Sequence, residues 1–141
     1  VTPTRIDTVE GLAAPVGPFS HAVVANGFVY TSGQLPVDAS GTAPDTFAAQ
    51  LTRALDNLRA VLEAAGSSLG HVVKVNGYLT DPEQLDTYNR VYREVFGDAL
   101  PARTTVGVSL WGVALEIDCV AVVAEEAEGR RPGRGGGEPR G

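Results

Sequence analysis

Residues 71–97 read HVVKVNGYLTDPEQLDTYNRVYREVFG, and the period of that stretch changes halfway along. His71–Thr80 is rich in valine and reads as a strand. Asp81-Pro82-Glu83-Gln84 has the composition of a helix start: Asp as cap, Pro at the first position, Gln where a capping box places it. Leu85, Tyr88, Val91, Tyr92 and Val95 then recur at three- and four-residue steps, and Gly97 ends the run. A strand that feeds directly into an amphipathic helix predicts a domain mixing both element types.

Working outward, residues 21–32 (HAVVANGFVYTS) hold two β-rich runs, and Asn26-Gly27 between them is a hairpin signal. After the turn-rich SGQLPVDASG, the positions Phe47, Leu51, Ala54, Leu55, Leu58, Val61 and Leu62 form one apolar stripe. That helix is expected to start at an Asp45 cap and to end where Gly66 adopts a left-handed conformation. Arg103–Ser109 and Leu115–Val123 read as two closing strands. The order strand, strand, helix, strand, helix, strand, strand predicts an α+β fold, a mixed sheet covered on one face by two helices. On the last strand Leu115, Ile117, Cys119, Ala121 and Val123 share one side, and Glu116, Asp118, Val120 and Val122 the other. A face that mixes carboxylates with valines suits neither a core nor a solvent surface, and so predicts packing against another subunit.

Length and composition bound the rest. The 141 residues suit one domain. Its folded unit is placed at residues 1–125; residues 126–141, rich in glycine, arginine and proline, read as a disordered tail. A unit this thin offers little depth for a cleft inside one subunit. The formal net charge of −6 argues against a general nucleic-acid binder. Cys119 is the only cysteine, so a disulfide framework is not expected, and a reducing, cytoplasmic setting is the default. No apolar run approaches the ~18–20 residues of a membrane span, and the N-terminal VTPTRIDTVEG lacks the pattern of a secretion signal. Dinucleotide-binding, phosphate-loop, CxxC, HExxH and GxSxG motifs are all missing, so neither a metal nor a cofactor is expected.

Three segments carry a family resemblance. Gly17-Pro18-Phe19-Ser20-His21-Ala22 resembles the GPYSQA segment of the Rid (reactive intermediate deaminase, YjgF-type) proteins. Tyr30-Thr31-Ser32-Gly33-Gln34-Leu35-Pro36 resembles their SGQ(I/L)P stretch. Pro101-Ala102-Arg103-Thr104-Thr105-Val106 with Leu115-Glu116-Ile117-Asp118-Cys119-Val120-Ala121 is similar to their PAR(S/T)xV…EI(E/D)xxA ending. The likeness runs in order from about residue 15 to 124. It implies a chorismate-mutase-like fold and a homotrimer with a central barrel and three clefts between subunits. It also implies hydrolysis of 2-aminoacrylate or 2-iminobutanoate to a 2-oxo acid and ammonia, with no cofactor.

The same resemblance assigns the candidate residues. Arg103 is the carboxylate-binding position, where a planar guanidinium grips a carboxylate through two parallel bonds. Glu116 is the group that directs water onto the imine carbon, with Asp118 a second candidate better read as structural. Gly33 and Thr105 supply backbone N–H donors; Ser32 is equally suited to bonding its own backbone, and Asn89 leans structural. The departures are Phe19 for the usual tyrosine, His21 for glutamine, Thr105 for a frequent cysteine, and an apolar Ser109–Ala114 turn carrying Trp111. Phe19 and Trp111 are read as pocket-lining, and His21 as a hydrogen-bonding partner within the hairpin. These changes leave two alternatives to the housekeeping reaction: a pathway-dedicated relative acting on a larger enamine or imine, and a non-catalytic trimer binding carboxylates.

Overall fold

The computed structural model describes residues 1–124; the tail expected at 126–141 lies outside the described residues. Six strands form one sheet: β1 (Thr4–Ile6), β2 (Ala22–Ala25), β3 (Phe28–Thr31), β4 (Val72–Leu79), β5 (Ala102–Gly107) and β6 (Leu115–Val122). Their spatial order is β1-β2-β3-β6-β4-β5, antiparallel except for the β4–β5 pair. Helices α1 (Phe47–Ala64) and α2 (Leu85–Phe96) cover one face. The fold is the α+β arrangement read from the sequence.

Local chemistry sets the boundaries. Asn26 (φ 53°) and Gly27 (φ 84°) both take the left-handed conformation that a two-residue hairpin turn requires. Gly66 (φ 83°) follows α1 as expected, and the Ser67 N–H reaches back to Leu62 O at 2.8 Å. The α1 cap is Thr46 rather than Asp45: the Thr46 hydroxyl accepts from Ala49 N–H at 3.1 Å. Both residue types cap helices, and the side chain that meets the N3 amide here is that of Thr46. Asp81 caps as expected, but through Glu83 N–H, and Pro82–Gln84 forms a single 3-10 turn before α2, so Gln84 closes no capping box. β1 was not foreseen; it is a three-residue edge strand held by β2 alone.

The core lies between helices and sheet. Leu51, Leu55, Leu58 and Leu62 of α1 pack onto Val29, Val75, Leu115, Ile117 and Cys119, all essentially inaccessible to solvent. Burial pushes the Cys119 thiol up to about 12, so it stays a protonated core side chain. β6 is buried on Leu115, Ile117, Cys119 and Ala121 and half-buried on Glu116, Asp118, Val120 and Val122, the alternation the sequence predicts. No helix among the described residues is long and apolar enough to cross a membrane.

The face away from the helices divides into two halves. Val23, Tyr30, Val120 and Lys74 follow one another across the sheet, next to Phe28 beside Val122. This half is largely apolar, and Tyr30 is 48% exposed. Asp118 with Asn76, and Glu116 with Tyr78, make the other half polar.

Candidate active site

Arg103 stands on the helix-covered face. The parallel register pairs it with core residue Val75, so its side chain projects toward α2. The spacing of Tyr88, Tyr92 and Phe96, four residues apart, stacks their rings along α2 with centroids 5.7 and 4.6 Å apart. The Arg103 guanidinium lies over this stack, 5.3 Å from the Tyr88 ring and 4.9 Å from the Tyr92 ring. It makes no ion pair among the described residues. A cavity of about 230 Å³ opens beside it, lined by Asn89, Tyr92, Arg93, Leu100, Pro101 and Arg103. Asn89 Oδ1 and the Tyr92 hydroxyl are buried there without a hydrogen-bond partner among the described residues. Burial, with Tyr88 adding, pushes the Tyr92 phenol up to about 12, so it stays neutral beside the guanidinium. The pocket therefore offers the guanidinium donors, while the Asn89 carbonyl oxygen and the Tyr92 hydroxyl lie behind its surface.

Glu116 stands on the other face. It pairs with Tyr78 across β4–β6, one step out of phase with the Val75–Cys119 pair that marks the core side. Its carboxylate is folded against Gly33: a Cβ at that position would collide with it. Desolvation first, and the nearby Asp118 charge second, raise the Glu116 carboxyl above its ordinary value. Asp118 is differently placed, because Asn76 Nδ2 donates to one oxygen at 2.8 Å and the Tyr78 hydroxyl to the other at 3.0 Å. Each of its oxygens accepts one bond within the sheet, which fits the structural reading. The Gly33 N–H, between Ser32 N–H bonded to His21 O and Gln34 N–H bonded to Ile117 O, has no backbone acceptor among the described residues.

Within one chain, then, Arg103 and Glu116 face opposite sides of the sheet, and the Arg103 cavity does not include Glu116. Gly33 accompanies Glu116. Thr105 accompanies Arg103, two residues along β5, with its hydroxyl buried and unpartnered. Phe19 is half-exposed at the edge of a groove of about 580 Å³ that also borders Arg5, Ser20, Tyr30 and Ser32. The Ser32 hydroxyl donates to Ser20 O at 2.5 Å, a backbone tie. His21 is buried with Nε2 on Ala13 O at 3.1 Å, so its partner lies in the preceding loop and not in the hairpin. Trp111 is 93% exposed on the β5–β6 turn and lines none of these cavities.

Sequence reasoning missed Tyr88, Tyr92 and Gly77 as parts of the Arg103 environment. The two tyrosines were legible only as members of an apolar stripe; their spacing of four was the available signal. Asn57 was missed as well: buried in α1, it donates to Leu35 O at 2.9 Å and Val37 O at 2.8 Å, tying the loop after Gly33 to the helix. The described residues contain no group of three His, Cys, Asp or Glu side chains placed to hold a metal ion.

Comparisons with known proteins match this architecture. The family model described as Endoribonuclease L-PSP matches residues 11–123. The chain is similar to the mitochondrial protein mmf1 of Schizosaccharomyces pombe, 43% identical over 111 residues, which cover 75% of this chain and 68% of that protein. It is 39% identical over 120 residues to a RutC family protein of Pyrococcus horikoshii, covering 79% of this chain and 92% of the relative. Among solved structures it is similar to the YjgF gene product of E. coli. The TM-score is 0.79 and the identity 34%, over 84% of this chain and 98% of that one.

Proposed function

The chain belongs to the Rid (YjgF/RutC) family, and on that premise we propose that it hydrolyses small 2-enamino and 2-imino carboxylates, such as 2-aminoacrylate and 2-iminobutanoate, to 2-oxo acids and ammonia. The observation that carries this reading is the Arg103 guanidinium, supported from beneath by two tyrosine rings at the edge of a small cavity. Stacking occupies the face of the group and leaves its N–H edges for a carboxylate.

Arg103 and Glu116 face opposite ways in one chain, so the complete site is an intersubunit one. A neighbour presenting its Gly33–Glu116 surface to the β5 edge brings the second half to the Arg103 cavity. The half-apolar outer face supports such packing, and a homotrimer is the assembly we propose. In the joined site Glu116 accepts a proton from water as the water oxygen bonds to the imine carbon. That proton passes to nitrogen to give the carbinolamine; Glu116 then takes the hydroxyl proton and delivers it to the amino group, so that the C–N bond breaks, ammonia leaves, the carbonyl of the 2-oxo acid forms and the carboxylate is regenerated. An elevated carboxyl pKa suits a group that takes up and returns a proton in one turnover. No cofactor enters this scheme, and the cytosol, with its single buried thiol kept reduced, is the setting we assign.

The net charge of −6 and the small Arg103 cavity favour small-molecule chemistry over the ribonuclease activity in the family description. The test couples a threonine dehydratase to this protein and follows keto-acid release in the presence of semicarbazide. Acceleration that Arg103→Lys removes supports the deaminase. No acceleration rejects these small substrates, and acceleration that survives Arg103→Lys rejects Arg103 as the anchor.

A further inference from the structure

The Arg103 side chain has four rotatable bonds on an edge strand, yet a bidentate carboxylate site needs its plane fixed. We propose that Tyr88 is a positioning residue that fixes the guanidinium plane of Arg103, and that Gly77 exists to give Tyr88 its seat. This rests on the reading of Arg103 as the carboxylate anchor.

Tyr88 is fully buried, an unusual place for a phenol, and its ring forms half of the support under Arg103. What admits it is Gly77 on β4. A Cβ there would collide with the Tyr88 hydroxyl and lie 2.9 Å from the ring carbon that carries it. Gly77 is not in the left-handed region of backbone space, so this glycine is demanded by space and not by conformation. Gly77 pairs with Thr105 in the parallel β4–β5 register, two residues along from the Val75–Arg103 pair and on the same face. The hydroxyl is therefore lodged in the sheet directly beside the strand that carries Arg103. The Thr105 and Tyr88 hydroxyls are both buried there without a partner of hydrogen-bonding geometry. A ring pinned at its tip by the sheet and at its base by α2 cannot tilt, and the cation stacked on it inherits that rigidity. Tyr92, the second ring under the guanidinium, is wedged in turn by Phe96.

The test has a ligand-free and a ligand-bound arm. In the free protein, the Arg103 Nε–H proton resonance is displaced by ring currents from both tyrosines; Tyr88→Phe keeps that displacement and Tyr88→Leu loses about half of it. In titrations with 2-oxobutanoate as probe, Tyr88→Leu weakens binding about fivefold and Tyr88→Phe by less than about twofold. Gly77→Ala weakens binding like Tyr88→Leu, and the Gly77→Ala/Tyr88→Phe double variant recovers part of the loss, because removing the hydroxyl relieves the closest contact and leaves only the ring carbon at 2.9 Å. With 2-iminobutanoate, the Tyr88→Leu loss appears in KM while kcat changes little. If Arg103→Ala abolishes binding and Tyr88→Leu and Gly77→Ala leave it unchanged, the positioning role is overturned and the anchor stands. If binding survives Arg103→Ala, or wild type binds nothing, the anchor fails and the positioning role falls with it. Should Tyr88→Leu not fold, an undisplaced Arg103 resonance in wild type or a Gly77→Ala variant that binds normally overturns the proposal.

Discussion

Gly33 is the space into which the Glu116 carboxylate folds: any side chain at 33 would occupy the position its oxygens hold. The backbone at 33 is not in the left-handed region, so the requirement is steric. Gly33→Ala therefore displaces Glu116 with little cost to the core. We expect a kcat loss of about 10²-fold, comparable to removal of a general base, in a protein whose thermal midpoint stays near that of wild type. A Gly33→Ala variant of normal kcat contradicts the role given to Glu116.

The pH profile follows from the same carboxyl. Burial and then the Asp118 charge raise it, so the acid limb of kcat/KM lies above the ordinary glutamate range. Asp118→Asn removes the second cause and moves that limb to lower pH. The stability sign is opposite to that of a salt-bridged acid. A carboxyl whose pKa rises on folding contributes stability that is complete below its unfolded pKa and lost as pH rises through its folded pKa. Glu116→Gln should accordingly melt higher than wild type at neutral pH, and the advantage should vanish on acidification below the ordinary glutamate range.

Assembly is tested on the apolar half of the outer face. Tyr30 stands between Val23 and Val120, half-exposed, with no core neighbour to lose. Tyr30→Glu places a charge where we propose a neighbouring subunit packs. Light scattering should report a trimer for wild type and a monomer for the variant. Activity should fall by about tenfold or more, since a lone chain holds only half of the site.

Asn57 carries a prediction about stability. Its amide spends both N–H groups on the Leu35 and Val37 carbonyls inside the protein. Asn57→Leu strands those carbonyls and should cost about 1–3 kcal/mol in urea denaturation. The loop it anchors begins at Gly33, so activity should decline with stability.

Much of this molecule is legible in its sequence, for identifiable reasons. Both helices declare themselves because each must bury one stripe against a sheet, and the hairpin does so because Asn26-Gly27 suits few other conformations. β1 escapes because Thr4, Arg5 and Ile6 carry no burial alternation and gain their conformation only from pairing with β2. The site is legible as residues but not as geometry. Alternation along β6 assigns Glu116 and Ile117 to opposite sides, yet nothing local relates the phase of β5 to that of β6. That relation comes from the β4 register, which joins Val75 to Arg103 on one side and Tyr78 to Glu116 on the other. For the same reason Tyr88 reads as one more apolar position until Gly77 is brought beneath it by the fold.

Trp111, the lone tryptophan, projects from its turn into solvent. Its emission consequently says little about the interior: loss of the core under denaturant leaves an indole that was already surrounded by water. The same fluorophore becomes a selective optical gauge of whatever settles over that turn. A blue shift or protection from iodide quenching as concentration rises would register occlusion at that spot and nothing deeper.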